Sequence, residues 1–188
     1  VPLNSKEPQE TPHFFIVKTN SAGIRVDPPM DLLALTGSRT SSTELENVLA
    51  EADITPQTEA GPRTGGLGTT ALAIGSTRAS LAILEQESRR RDLLKPITNE
   101  IEKEVSTIEA DLFEATTCGI DTQERNLLRQ RANTLVTRTS QAALTASKGA
   151  GFVKGHPIER LIRESMFFLV WSCPQSVAES LLCDFAGI

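Results

Sequence analysis

The apolar spacing that begins at Gly65 constrains the fold of this chain more than any other feature of its sequence. After Gly65, apolar side chains recur at steps of three, four and seven residues, which is typical of an amphipathic helix. The first such seam comprises Leu67, Ala71, Ile74, Leu81 and Leu84. Three arginines follow at residues 89–91, where the C-terminal end of a helix favours cations. We therefore predict a long first helix that begins just after Gly65.

Two more long helices are predicted from the same spacing and from the residues at their ends. Pro96 suits the first turn of the second helix, and Gly119 closes that helix. Asp121-Thr-Gln-Glu124 resembles a capping box and begins the third helix, which ends at Gly149 and Gly151. The second seam comprises Ile97, Ile101, Val105, Ile108 and Leu112, and the third comprises Leu128, Ala132, Leu135, Ala142 and Ala146.

A fourth helix is predicted from Pro157 to Pro174, because proline interrupts helical hydrogen bonding. Its predicted inward side chains are Leu161, Ser165, Phe168 and Leu169. A short last helix covers residues 176–184. Long helices joined by short loops favour an antiparallel bundle.

Residues 1–60 have a different pattern. They hold most of the prolines and three short β-type runs, at residues 14–17, 24–26 and 43–48, which indicate strands separated by turns. The predicted fold class is therefore α+β and mainly α. We expect part of a β-sheet or barrel over residues 1–60, followed by an antiparallel four-helix-type bundle over residues 61–188.

Composition narrows the partners of the chain. The net charge is −5, and no basic stripe offsets it, which argues against nucleic acid as the main partner. Three cysteines without a CxxC pair predict neither a disulfide framework nor a metal site, so we expect a reduced, cytoplasmic protein. The longest uninterrupted apolar run is residues 166–171, and no signal peptide is recognisable, so no membrane partner is expected.

Few residues suited to chemistry cluster in the sequence. The Gly-Gly-Leu-Gly at residues 65–68 lacks the preceding strand and the Lys-Ser/Thr of a phosphate loop, which favours a flexible helix entry. His13 and His156 are isolated, and His156 before Pro157 suits a turn. Cys173 lies at a helix break without an adjacent cation, which favours a structural thiol over a reactive one.

Three stretches, in order along the chain, resemble the acyl-CoA dehydrogenase family of flavoproteins. Residues 23–50 are similar to the later strands of the family's middle β domain. Residues 73–96 resemble the first long helix of its C-terminal domain and the loop that follows. Residues 148–177 are similar to its Gly-rich loop and to the "Pro-x-Glu-Arg-x-x-Arg" helix after it. The resemblance implies the end of the middle domain followed by the C-terminal helical domain.

The resemblance also implies FAD as cofactor and a set of residues that bind it. Arg90 matches the family arginine that reaches the FAD pyrophosphate of a neighbouring subunit, and Leu93 stands where the family has a phenylalanine against the flavin nucleotide. The Gly-rich loop adds Gly149, Gly151 and Phe152. In the same region Thr145 replaces a glutamine of the family pattern.

The family's catalytic base has no counterpart here. In typical members a glutamate removes the α-proton of the acyl-CoA, and Ser172 occupies that position; the second position used by some members falls in residues 66–70, which hold no acid. The resemblance implies an FAD-dependent oxidoreductase acting on the CH–CH group of an acyl-CoA, with its base unknown. A flavin-dependent monooxygenase, a nitroalkane-oxidase-like relative and a non-catalytic structural subunit are the alternatives.

The resemblance implies an assembly as well. Members of the family form homo-oligomers, so a dimer or a tetramer is expected. The N-terminal part of the family has no counterpart in this sequence, and we expect either a longer protein or another chain to supply it.

Overall fold

The computed structural model describes residues 13–55, 66–171 and 173–187. The chain divides into two compact units, residues 1–63 and 64–188. The predicted boundary after residue 60 lies among residues 56–65, outside the described part. Short antiparallel strands precede a helical bundle, which confirms the predicted fold class.

The first unit contains two small antiparallel sheets among its described residues. Strand β1 (Phe15–Ile16) pairs with β4 (Ala52–Asp53), and β2 (Ile24–Val26) pairs with β3 (Thr43–Leu45). The strand predicted over residues 43–48 is too long. It ends early because Asn47 adopts a left-handed backbone, with φ 52°. Strand β4 was missed, since neither of its residues is β-branched or aromatic.

The second unit contains three long helices followed by shorter ones. They are α1 (Leu67–Ser88), α2 (Lys95–Cys118), α3 (Thr122–Ser147), α4 (Pro157–Ser165), α5 (Phe167–Val170) and α6 (Gln175–Ala186). The three predicted long helices are confirmed. The predicted fourth helix is instead divided at Met166 into α4 and α5. Helix α1 packs against α2 and α3, and α3 packs against α4 and α6.

The ends of α2 and α3 follow from local chemistry. Pro96 lies in the first turn of α2, and Gly119 follows its last residue with φ 74°, a conformation that suits glycine. The capping box of α3 is present: Asp121 Oδ1 accepts a bond of 2.8 Å from the Glu124 N–H, and Glu124 Oε2 accepts one of 3.0 Å from the Asp121 N–H. These bonds satisfy amide donors that the helix itself leaves free.

The core of the bundle lies between α1, α2 and α3. Buried aliphatic side chains from the predicted seams include Leu81, Leu84, Val105, Ile108 and Leu135. Two predicted core residues are wrong: Ala71 is exposed, and Ile97 is 46% exposed. Helix α1 buries Thr70 and Thr77 in its core face instead. The Thr77 hydroxyl donates to the Ala73 carbonyl at 2.8 Å. Because the hydroxyl has this partner, its burial does not carry the free-energy cost of an unpaired polar group.

Helix α1 is also long and apolar enough to cross a membrane by length and composition alone, with a mean hydropathy of 1.2 over its most apolar window. The prediction from the sequence considered only uninterrupted apolar runs and did not identify it. Its contacts are those of a bundle helix, because Leu81 and Leu84 lie in the core. Its Arg78 donates to Glu102 and Glu109 of α2, with shortest distances of 2.5 Å to each.

Candidate functional site

Two loops that the sequence assigned to one site meet at the same end of the bundle. The first follows α1 and contains a short 3-10 turn, Asp92–Leu94; the second follows α3 and contains another, Lys148–Phe152. Arg91 joins them, because its guanidinium donates to Glu87 at 2.7 Å and to the Ala146 carbonyl. The C-terminal ends of α1 and α3 therefore lie together, with α2 running in the opposite direction.

Arg90 and Leu93 project from the first loop. The Arg90 side chain is 70% exposed, and its contact with Glu87 is long, at 3.8 Å. Leu93 is 83% exposed. Both side chains are accessible to a ligand, whereas the neighbouring Arg91 is hydrogen-bonded to Glu87 and to the Ala146 carbonyl. Their predicted roles in cofactor binding stay predictions.

Thr145 and Phe152 flank the second loop and are also exposed. The Thr145 hydroxyl donates to the Gln141 carbonyl at 2.9 Å, which leaves its lone pairs able to accept a bond. Phe152 is 85% exposed. Its aromatic ring therefore offers apolar surface to a ligand.

The two glycines of the second loop differ in their surroundings. A Cβ on Gly149 would meet nothing within 4 Å, so the backbone there is open to close approach. A Cβ on Gly151 would lie 2.8 Å from Ser147 Cβ and 2.9 Å from Ile158 Cγ2. Packing of the turn against α4 thus explains Gly151 without a ligand. Lys148, the first residue of this turn, has a left-handed backbone with φ 53°.

The first residues of α4 hold the end of the second loop through hydrogen bonds. His156 caps the helix, because its Nδ1 accepts from the Ile158 N–H at 3.3 Å, which agrees with its predicted place in a turn. Glu159 pairs with Arg163 at 2.5 Å and accepts from the Gly155 N–H at 3.3 Å. The Arg163 guanidinium, followed by the Gly155 amide, holds the pKa of Glu159 below its ordinary value.

Ser172, the predicted replacement for the catalytic base, lies outside the described residues. The backbone before it is tied to α3 by two buried side chains. Asn133 Nδ2 donates to the Phe168 carbonyl at 2.8 Å, and Arg129 Nη2 donates to the Trp171 carbonyl at 3.3 Å. Sequence reasoning missed both residues. Their spacing of one helical turn beside the apolar seam was the only available signal.

Arg129 and Cys173 affect each other's pKa. Arg129 is 0% exposed, and burial lowers its pKa while the Cys173 sulfur opposes that effect. Burial raises the pKa of the Cys173 thiol despite Arg129, so a neutral thiol is favoured at neutral pH. Over residues 13–55, 66–171 and 173–187, no three His, Cys, Asp or Glu side chains form a group that could hold a metal ion.

The comparisons with known proteins identify the fold. No protein-family model matches the chain, and no curated protein matches its sequence. An acyl-CoA dehydrogenase from Slackia heliotrinireducens matches 95% of this chain with 54% of its own, at a TM-score of 0.71 and 13% identity. A glutaryl-CoA dehydrogenase in complex with glutaryl-CoA matches 94% of this chain with 51% of its own, at a TM-score of 0.73 and 16% identity.

A third solved structure extends the range of ligands found on this fold. KijD3, in complex with FMN and a dTDP-linked amino-keto sugar, matches 98% of this chain with 54% of its own, at a TM-score of 0.73 and 15% identity. The chain thus has the fold found in acyl-CoA dehydrogenases and related flavin-binding proteins, and the predicted resemblance is confirmed at the level of the fold. It spans about half the length of the structures that it matches.

Proposed function

We propose that this chain forms the C-terminal half of an acyl-CoA dehydrogenase-type flavoprotein, an oxidoreductase acting on the CH–CH group of an acyl-CoA. The observation that carries the proposal is the fold, since 94% of the chain superimposes on a glutaryl-CoA dehydrogenase. The meeting of the two predicted cofactor loops at one end of the bundle supports it.

FAD is the proposed cofactor, and the exposed residues of the two loops fit it. An accessible guanidinium at Arg90 suits bidentate contact with a pyrophosphate. Leu93 and Phe152 supply apolar surface for the flavin nucleotide, and the open backbone at Gly149 permits close approach of a phosphate. A bound flavin would supply the capacity to accept hydride, while these residues bind and orient it.

Removal of a proton from the substrate is the step for which the sequence lacks the expected carboxylate, both at position 172 and over residues 66–70. A serine hydroxyl at position 172 without an adjacent base cannot remove an α-proton at neutral pH. The raised pKa of Cys173 keeps that neighbouring thiol protonated as well. We therefore propose that a base comes from the rest of the protein or from another chain, if the assembly is a dehydrogenase.

A flavin-dependent monooxygenase or a nitroalkane-oxidase-like relative is the second candidate. KijD3 supports a reaction on a substrate other than an acyl-CoA, because it has this fold and was solved with FMN and a sugar nucleotide. The third candidate is a non-catalytic structural subunit of such an assembly, because position 172 lacks the carboxylate. In each case we propose a cytoplasmic homo-oligomer, a dimer or a tetramer.

Titration of the purified full-length protein with FAD tests the cofactor. We expect Arg90→Ala to weaken FAD binding by roughly ten- to a hundredfold, because a charged hydrogen bond contributes about 1.5–3 kcal/mol. Arg89→Ala, one residue away and also exposed, is the matched control and should bind FAD normally. Far-UV circular dichroism verifies that both variants are folded.

Two outcomes decide between the candidates. Absence of bound flavin after purification, together with no binding of added FAD in any oligomer, would contradict both flavoenzyme candidates and favour the structural subunit. If flavin binds, anaerobic addition of acyl-CoA tests the reaction: bleaching of the flavin absorbance supports dehydrogenation and contradicts the monooxygenase. A variant Ser172→Glu that gains dehydrogenation would identify position 172 as the lost base.

A further inference from the structure

Lys148, at the end of α3, has a backbone conformation that normally requires glycine. Its φ is 53° and its ψ is −147°, a region that is strained for any residue with a Cβ. The bend ends α3, and a glycine would allow it without that strain. Attraction of a lysine cation to the C-terminal end of a helix is weaker than the strain. Neither the turn nor the helix therefore explains a lysine at this position.

The Lys148 ammonium has no counter-ion in the described part of the chain. Its side chain is exposed, and no carboxylate among residues 13–55, 66–171 and 173–187 forms an ion pair with it. The acids of the surrounding loops are each paired with another cation: Glu87 with Arg91, Asp92 with Lys95 and Glu159 with Arg163. The ammonium is therefore free to bind an anion from outside.

The two loops at this end of the bundle are basic, although the chain as a whole is acidic. Residues 87–95 contain four cations and two acids, and residues 145–160 contain three cations and one acid, in a chain of net charge −5. Arg91 joins the loops through the Ala146 carbonyl. Arg90 precedes Arg91 directly, and Lys148 lies two residues after Ala146. One exposed cation from each of two adjoining loops suits a ligand with two phosphates.

We propose that Lys148 binds one phosphate of a diphosphate whose other phosphate contacts Arg90, and that this pair makes the site selective for a dinucleotide over a mononucleotide. The inference rests on the proposed function, in which the dinucleotide is FAD. A lysine ammonium binds phosphate oxygens as a point charge, and the open backbone at Gly149 leaves room beside it. FMN has a single phosphate and engages only one of the two cations.

Calorimetric titration of the full-length protein with FAD, FMN and ADP tests this inference. Lys148→Met removes the ammonium and keeps the same backbone strain. We expect its affinity for FAD and for ADP to fall about tenfold, the loss of one charge-assisted bond, and its affinity for FMN to fall less. Lys154→Met is the matched control, because Lys154 is also exposed but acts on Glu159, whose pKa it lowers. This variant should bind FAD as the wild type does.

A second variant, Lys148→Gly, separates binding from a role in folding. Relief of the backbone strain outweighs the greater freedom of glycine in the unfolded chain, so the urea midpoint should rise by roughly 0.5 M. The affinity for FAD should fall as it does in Lys148→Met. A variant that is more stable but binds FAD less tightly would show that Lys148 serves the ligand.

Other results would overturn the inference. Wild-type affinity for FAD in both Lys148 variants would remove the phosphate contact and leave the proposed cofactor standing. Equal losses of FAD and FMN affinity would contradict the selectivity, and equal losses in Lys148→Met and Lys154→Met would reduce it to a general attraction of anions. If the wild type binds ADP but not FAD, the diphosphate site is supported and the proposed cofactor is contradicted.

Discussion

Replacing Gly151 by alanine tests whether packing, and not ligand binding, requires glycine in the turn between α3 and α4. The backbone of Gly151 does not have a positive φ, so alanine is not excluded by conformation. The cost comes from its Cβ, which would lie 2.8 Å from Ser147 Cβ, 2.9 Å from Ile158 Cγ2 and 3.1 Å from Leu144 Cδ1. The first two distances are shorter than Cβ contacts in folded proteins.

The magnitude follows from how little these neighbours can move. Ser147 Cβ is fixed to the last turn of α3, and Ile158 is 0% exposed in the core. Overpacking of this kind costs about 1–3 kcal/mol, and a lower entropy of the unfolded chain returns about 0.4–1 kcal/mol for Gly→Ala. We expect Gly151→Ala to lower the free energy of unfolding by about 1–2 kcal/mol. With a urea m-value of about 2 kcal/mol/M, the middle of the usual range, the midpoint falls by about 0.5–1 M.

Urea unfolding followed by far-UV circular dichroism measures the effect, since the helices of the bundle dominate that signal. Gly149→Ala is the matched control, because a Cβ there meets nothing within 4 Å. It should be neutral or stabilising by up to about 1 kcal/mol. Equal midpoints for the two variants would refute the packing argument. If Gly149 approaches a nucleotide as proposed, its variant should lose FAD affinity without losing stability.

Two further predictions concern an ion pair and a helix end. The Arg78 guanidinium holds the pKa of Glu109 below its ordinary value of 4.5. The Arg78–Glu109 ion pair therefore stabilises the folded state fully above pH 4.5. That stabilisation is lost as the pH falls through the lower pKa of Glu109 in the folded state. The Glu109 side chain is 39% exposed, so Glu109→Gln should lower the free energy of unfolding by only about 0.5–1 kcal/mol at neutral pH. The urea midpoints of the variant and the wild type should converge in acid. A difference between the midpoints that does not change with pH would contradict the role of this ion pair. Asp121→Ala removes the N-terminal cap of α3 and should lower the free energy of unfolding by about 1 kcal/mol. Thermal unfolding measures this loss, with Gln123→Ala as the control. Equal destabilisation by the two substitutions would argue against a stabilising cap at Asp121.

The boundaries of α2 and α3 could be predicted because their determinants are local. Pro96, Gly119 and the Asp121 capping box act within a few residues of the helix ends that they define. The buried face of α1 could not be predicted in the same way. Small or apolar residues occur on all its sides, so spacing alone did not distinguish exposed Ala71 from buried Thr70. Contacts with α2 and α3 make that choice.

The candidate site was predictable only in part. The resemblance assigned Arg90 and Gly149 to two loops, and the structure brings those loops to one end of the bundle. It did not indicate that Arg91 would join the loops, since three successive arginines look alike in sequence. Arg129 was missed because a charged residue within a helix is normally solvated. Its guanidinium donates to the carbonyl of Trp171, which lies 42 residues further along the chain.

The short strands of the first unit have a consequence for local opening of the chain. The β1–β4 ladder contains two residue pairs and the β2–β3 ladder three, and isolated two-stranded pairings are marginal in water. Their amides should therefore open to hydrogen exchange with a small free energy, by local fluctuations rather than global unfolding. Amides in the centre of α3, around Leu135 and Val136, are buried and should exchange only when the whole bundle opens. One chain would then contain two cooperative units of very different protection, and a protease would reach the strands first.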